Sequence, residues 1–169
     1  MRPIKLLAVM SLARRLGVTH IVEEGRYGGL SAYIYNHQGF KVTSIEWVPL
    51  DDVTHSLERL APAIKLVNGD GRVLTPQVIS EAAPSERIAV IFDGTKRQLA
   101  YDTSWLKVKD RVAFAAFDDT NVAEMWPYNT TRAKRTGFAF DLYLGEHNET
   151  FWNSRHTSGS LFRREKPWL

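Results

Sequence analysis

Three aspartates stand where two apolar runs of the chain stop. Arg87-Ile88-Ala89-Val90-Ile91-Phe92 leads into Asp93-Gly94-Thr95-Lys96, and the run from Arg111 to Phe117 leads into Asp118-Asp119-Thr120-Asn121. If the runs are adjacent parallel strands, their ends lie about 5 Å apart. Asp93, Asp118 and Asp119 then gather in one small region. Packed carboxylates repel, and each resists ionisation. A bound divalent cation removes that penalty, and hard oxygen donors with water suit Mg2+ or Mn2+. Each residue also has a plainer reading. Asp93 can cap a helix, Asp118-Asp119 can form a turn, and Lys96 can be a solvated helix residue.

A second group lies earlier. His20-Ile21-Val22-Glu23 is followed by Glu24-Gly25-Arg26-Tyr27-Gly28-Gly29-Leu30-Ser31. Glycines there permit a tight turn and close backbone approach to a ligand, and the next helix presents free N–H groups. Arg26-Tyr27 separates the first two glycines, so the spacing is not the G-x-G-x-x-G of dinucleotide binders. That argues against a nicotinamide dehydrogenase. Lys41-Val42-Thr43-Ser44-Ile45-Glu46 then ends in an acid that can accept both hydroxyls of a ribose. Loop and acid together point to a nucleoside-containing cofactor, although either alone can be a turn or an exposed strand end.

These residues need a scaffold that brings strand ends together. Apolar β-rich runs at 20–23, 41–46, 63–67, 87–92 and 111–117 alternate with helical patterns at Leu30 to His37, Val53 to Leu60, Val73 to Ala82 and Gln98 to Lys107. Gly39 ends the first of those helices. Such alternation predicts right-handed crossovers and a parallel sheet, with ligands beyond the carboxyl ends of the strands. Thr136 to Leu144 and Ser158 to Arg164 read as two further strands with no helix between them. The expected fold is α/β: a Rossmann-like, mostly parallel seven-stranded sheet, helices on both faces, and a C-terminal antiparallel hairpin.

The 169 residues suit one domain. Residues 1–17 are expected as an N-terminal helix, 18–120 as the cofactor- and metal-binding core, and 121–169 as an acceptor-side loop and terminal hairpin. Met1 to Met10 has some signal-peptide character, but Arg14-Arg15 stands where a cleavage site needs small residues. The segment reads instead as an amphipathic helix. A membrane span needs about eighteen consecutive apolar residues, and the sequence holds no such run. Cysteine is absent, which excludes disulfide and thiolate chemistry and fits a cytoplasmic protein. The net charge of +3 comes from the segment that begins at Arg132. Its basic residues are scattered, so nucleic acid is not the expected partner.

The glycine loop, from Val22 to Ser31, resembles the first motif of class I S-adenosylmethionine-dependent methyltransferases. There Glu-x-Gly opens the loop around the methionine part of the cofactor. Glu46 is similar to that family's ribose acid, and Asn68-Gly69-Asp70 to its loop near the adenine. The resemblance implies a donor site of Glu23, Gly25, Tyr27, Gly28, Ser31, Glu46, Trp47, Asp70 and Asp93. Asp93 with Lys96, and Asp118 with Asp119, resemble the Asp-x-x-Lys and paired-acid motifs of metal-dependent O-methyltransferases of the catechol and caffeoyl-coenzyme A type. Macrocin-type sugar O-methyltransferases are similar but carry His where Lys96 stands. The resemblance implies Asp93, Asp118 and Asp119 as metal ligands and Lys96 as general base, with Asp93 at the reacting centre.

The implied acceptor is a small-molecule or glycan hydroxyl, a sugar or a phenol. Met125-Trp126-Pro127-Tyr128 and Phe151-Trp152-Asn153 could hold it with aromatic faces, and Arg155 and His156 could touch it. Ordinary packing is the competing reading. Little of this sequence precedes the first strand, and the acceptor pocket is therefore expected to be open or completed by a second copy in a homo-oligomer. Two other functions stay open. One is a metal-independent methyltransferase of the same fold acting on another acceptor. The other is an inactive cofactor-binding or partner-binding module.

Overall fold

The computed structural model of the chain describes residues 3–94, 104, 106–118, 138–143 and 159–164; for residues 3–5, Leu106, Asp118 and the last two stretches it describes the backbone alone. The elements are α1 (Pro3–Arg15), β1 (His20–Glu24), α2 (Leu30–His37), β2 (Lys41–Glu46), α3 (Asp51–Leu60), β3 (Lys65–Asn68), α4 (Gly71–Glu81), β4 (Ile88–Phe92), α5 (Leu106–Val108), β5 (Val112–Asp118), β6 (Phe138–Tyr143) and β7 (Gly159–Arg164).

Among the described residues the strands form one sheet in the order β3-β2-β1-β4-β5-β7-β6. Five of them, β3 to β5 in that order, are parallel. At the β5 edge β7 pairs antiparallel with β5, and β6 antiparallel with β7. The residues joining β6 to β7 lie outside the described set, so the expected hairpin connection is not among the described features. Strand order reverses between β1 and β4, which makes the crevice above their carboxyl ends the switch point where such sheets bind ligands.

Two cores flank the sheet. On one face Leu6, Val9 and Ala13 of α1, Ala32 and Tyr35 of α2 and Leu57 of α3 pack on Ile21, Val42, Ala89, Ile91, Phe114 and Ala116. On the other, Val78 and Ile79 of α4 and Val108 of α5 pack on Val22, Ile45, Val90, Phe92, Ala115 and Phe117. Residues alternate between faces along each strand, as the pleat requires. The central strands β1 and β4 are buried along their whole length, as parallel strands covered on both faces are.

The structure departs from the sequence expectation in local ways. β3 starts at Lys65 rather than Ala63, because the Ile64 N–H donates to the Ala61 carbonyl and closes a turn over those residues. Helix α2 buries Ser31, Ala32 and Tyr35, and leaves Leu30 exposed. Of the expected α3 stripe only Leu57 is buried. The helix expected over Gln98 to Lys107 lies mostly outside the described residues.

Candidate active site

The β1–α2 loop is built on backbone contact with the turn after β4. Gly25 has φ 99°, and a Cβ there would stand 2.3 Å from the Gly94 nitrogen and 2.5 Å from its Cα. No L side chain fits at that distance or at that φ. The N–H groups of Asp93 and Gly94 both donate to the Glu24 carbonyl, at 2.8 and 2.7 Å. The two loops on either side of the switch point are thereby one unit, and Asp93 sits half-buried beside Gly25.

The rest of the loop is stitched to β2 and β3. The Gly25 N–H donates to the Ile45 carbonyl at 2.9 Å. The Tyr27 N–H donates to Glu46 Oε2 at 2.8 Å, and the Val48 N–H to Glu46 Oε1 at 3.2 Å. Tyr27 is the one described non-glycine residue with positive φ, 41°, and its side chain is 80% exposed. A bulky residue in that conformation is strained and persists only where its surroundings over-determine it. Gly28 follows in the open, and Gly29 closes a turn onto the Arg26 carbonyl at 2.8 Å.

Beneath the loop lies a buried polar layer. Glu23 is fully buried; burial pushes its carboxyl up to about 7, against hydrogen bonds from Ser31 and Ser44, and Asp93 pushes the same way as burial. The Ser44 hydroxyl donates to Glu23 Oε2 at 3.0 Å, while Oε1 has no partner among the described residues. Glu23 and Ser31 thus form the underside of the loop. Arg26 is 2% exposed, a placement that the sequence reading missed. It donates from Nη1 to the Ser44 carbonyl at 3.2 Å and from Nη2 to Asn68 Oδ1 at 2.8 Å. Its only sequence signal is a cation between Gly25 and Tyr27, which by itself reads as solvated.

At the outer edge Trp47 is 61% exposed, with the Arg72 guanidinium 5.2 Å from its ring centre. Asp70 caps α4 through the Arg72 N–H at 2.9 Å, and its two oxygens also accept from the Arg72 side chain. That pairing holds the Asp70 carboxyl below its ordinary range.

On the other side of the switch point β4 and β5 are parallel neighbours with Phe92 opposite Phe117, and their rings stack at 4.8 Å. The next positions along the two strands are Asp93 and Asp118, so the backbone brings these two to adjoining strand ends. Lys96 and Asp119 lie outside the described residues, as do Trp126, Tyr128, Phe151, Trp152, Arg155 and His156. Among the described residues no group of three metal-binding side chains occurs.

No family model matches the chain, and no curated protein matches its sequence. Its architecture does match solved structures. An O-methyltransferase from Streptomyces achromogenes, TomG, solved with S-adenosylmethionine, superposes with TM-score 0.67 at 14% identity over 98% of this chain and 82% of its own. A Staphylococcus aureus protein provisionally described as a caffeoyl-CoA O-methyltransferase gives TM-score 0.69 at 14% identity, over 97% of this chain and 84% of its own. A Burkholderia thailandensis N1-methyltransferase with bound S-adenosylhomocysteine gives 0.64 at 13% identity, over 95% and 77%. The chain has the class I methyltransferase fold. In that fold the Gly25 loop, Glu46 and Asp93 share one rim. Among the described residues no helix is long and apolar enough to cross a membrane.

Proposed function

We propose that this chain is an S-adenosylmethionine-dependent O-methyltransferase acting, with a divalent cation, on a sugar, glycan or phenolic hydroxyl. The observation that supports this reading is the contact of two loops across the switch point: the Gly25 turn touches Gly94, and Glu46 and Asp93, read as the ribose acid and a metal ligand, stand at the ends of the strands on either side of β1. The fit to a donor rests on this chain's own features. The loop backbone approaches as closely as glycine allows, Glu46 stands at the rim with its oxygens toward loop N–H groups, and an unpartnered carboxylate oxygen lies below. The fit to a hard cation rests on Asp93 and Asp118 at adjoining strand ends.

In this reading Glu46 receives the ribose hydroxyls, Trp47 flanks the base, and the Gly25–Ser31 loop cradles the amino-acid end. Asp93, Asp118 and Asp119 hold the cation and set where the acceptor oxygen lies. When bound, Mg2+ or Mn2+ supplies Lewis acidity that lowers the hydroxyl's pKa, and the donor supplies the methyl group. Lys96 accepts the hydroxyl proton. The protein's part is mainly alignment and exclusion of water. Strands β6 and β7 are taken as one hairpin closing the acceptor side, in a cytoplasmic protein that can act alone or as a homo-oligomer.

Calorimetric titration with S-adenosylhomocysteine, followed by methyl transfer to hydroxyl acceptors with and without EDTA, tests this. Binding and EDTA-sensitive transfer are expected. The Burkholderia neighbour methylates a nitrogen by its own description, which favours a metal-independent reading as the alternative. Transfer that survives EDTA would establish that alternative.

A further inference from the structure

A fully buried arginine in a ligand-facing loop needs an account. Removing a guanidinium from water is unfavourable unless other groups compensate for it, and burial pulls Arg26 below its ordinary value while Glu46, Glu23 and Glu58 oppose that shift. The compensation is unusual in form. The guanidinium meets two neutral oxygens, the Ser44 carbonyl on β2 and Asn68 Oδ1 at the end of β3. Its Nε has no partner among the described residues. Ser44 is shared: its carbonyl receives Arg26 and its hydroxyl donates to Glu23. Arg26, Ser44 and Glu23 therefore form one buried cluster with an unpartnered donor and an unpartnered acceptor. The next residue, Tyr27, is the strained one, and its N–H holds Glu46.

We infer that Arg26 is a positioning residue for the donor, a latch that ties the β1–α2 loop to the ends of β2 and β3 and so fixes the Tyr27 N–H and the Glu46 carboxylate in the geometry that receives the nucleoside, an inference that rests on the donor-binding reading above. The chemistry follows from the contacts. Without the latch, the Gly25 and Tyr27 amides lose the scaffold that over-determines their conformation, and the strain at Tyr27 relaxes by moving the loop. Donor affinity falls because ordering the loop must then accompany binding. The acceptor side, across Gly94, keeps its own strands.

The test uses the full chain and S-adenosylhomocysteine as the probe. Calorimetry is run on the wild type, Arg26→Met, Arg26→Lys, Asn68→Ala and the Arg26→Met/Asn68→Ala double variant, with amide exchange of residues 25–29 read in the unliganded proteins. Arg26→Met is expected to weaken binding about tenfold or more, the range for removing a hydrogen-bonded buried charge. Arg26→Lys should recover part of the loss, and Asn68→Ala should weaken binding by a smaller factor. The double variant should be no weaker than Arg26→Met, because both changes remove one link. Tyr27 amide protection should fall in Arg26→Met. If Arg26→Met does not fold, Arg26→Lys and the exposed-site Asn68→Ala carry the test. Wild-type binding with unchanged affinity in Asn68→Ala and Arg26→Lys overturns the latch and leaves the donor reading standing. A wild type that binds no S-adenosylhomocysteine overturns the donor reading, and the positioning role with it.

Discussion

The two rims of the parallel sheet both bury ionisable side chains, and they treat them in opposite ways. At the amino-terminal rim His20 is buried with both ring nitrogens engaged, Nδ1 with Glu86 Oε2 at 2.7 Å and Nε2 with Thr43 Oγ1 at 2.9 Å. Glu86 Oε1 accepts from Lys41 Nζ at 2.6 Å. The Glu–His–Thr line looks like a hydrolytic triad, but Thr43 is 1% exposed and no substrate can reach it. At the carboxyl-terminal rim Glu23 and Arg26 are as deeply buried, yet each leaves an atom without a partner among the described residues. Unsatisfied buried polar atoms are costly. The contrast teaches that burial at the amino-terminal rim comes with complete pairing, whereas the carboxyl-terminal rim, where the proposed donor site lies, keeps buried polar atoms without a partner among the described residues.

The comparison can be broken from the carboxyl-terminal side first. Gly25→Ala places a Cβ against the Gly94 backbone and should cost more than about 2 kcal/mol in stability. It should also abolish S-adenosylhomocysteine binding, read by denaturant melts and calorimetry. Retained binding would mean that the two loops need not touch.

Glu23→Gln sharpens the contrast. The folded-state value of Glu23 is raised from 4.5 to about 7, so the native protein holds an extra proton between those limits. Wild-type stability from this group is therefore present at low pH and lost as pH rises from 4.5 through about 7. The variant should exceed the wild type by about 3 kcal/mol at pH 8 and match it near pH 4, to the order of magnitude such shifts support. Equal pH dependence in the two proteins would show that Glu23 does not titrate there.

Lys96→Met should slow methyl transfer by roughly a hundredfold while leaving donor binding intact, measured by single-turnover transfer and calorimetry. Full activity would assign the proton to another group.

The amino-terminal rim should respond in stability alone. Glu86→Ala leaves buried His20 with one partner lost and should cost about 1–3 kcal/mol, with donor affinity unchanged. His20 is held below its ordinary 6.5 chiefly by burial, so the unfolded chain takes up the proton first. Stability from this group is lost as pH falls below 6.5, the opposite sign to Glu23. A change in donor affinity in Glu86→Ala would erase the distinction between the rims.

Much of this was legible beforehand. The strand and helix order could be read because pleat alternation and helical spacing are local properties. The positions of Gly25, Glu46 and Asp93 at or just past the carboxyl ends of β1, β2 and β4 could be read because each lies where an expected strand stops. What went unread was orientation. Leu30, which opens the expected apolar spacing of α2, is exposed, while Ser31 beside it is buried. Asp70 is taken by Arg72 as well as capping α4, a pairing invisible without knowing which way each side chain turns.

The amino-acid order alone determined which residues follow which strand, since strand and turn formation depend on neighbours a few positions away. Only the folded chain decided that Arg26 goes inward to Ser44 and Asn68, that Glu23 is held near neutrality, and that Gly25 rests on Gly94. Those outcomes depend on partners from distant segments, and solvent exclusion exists only after these segments have packed together.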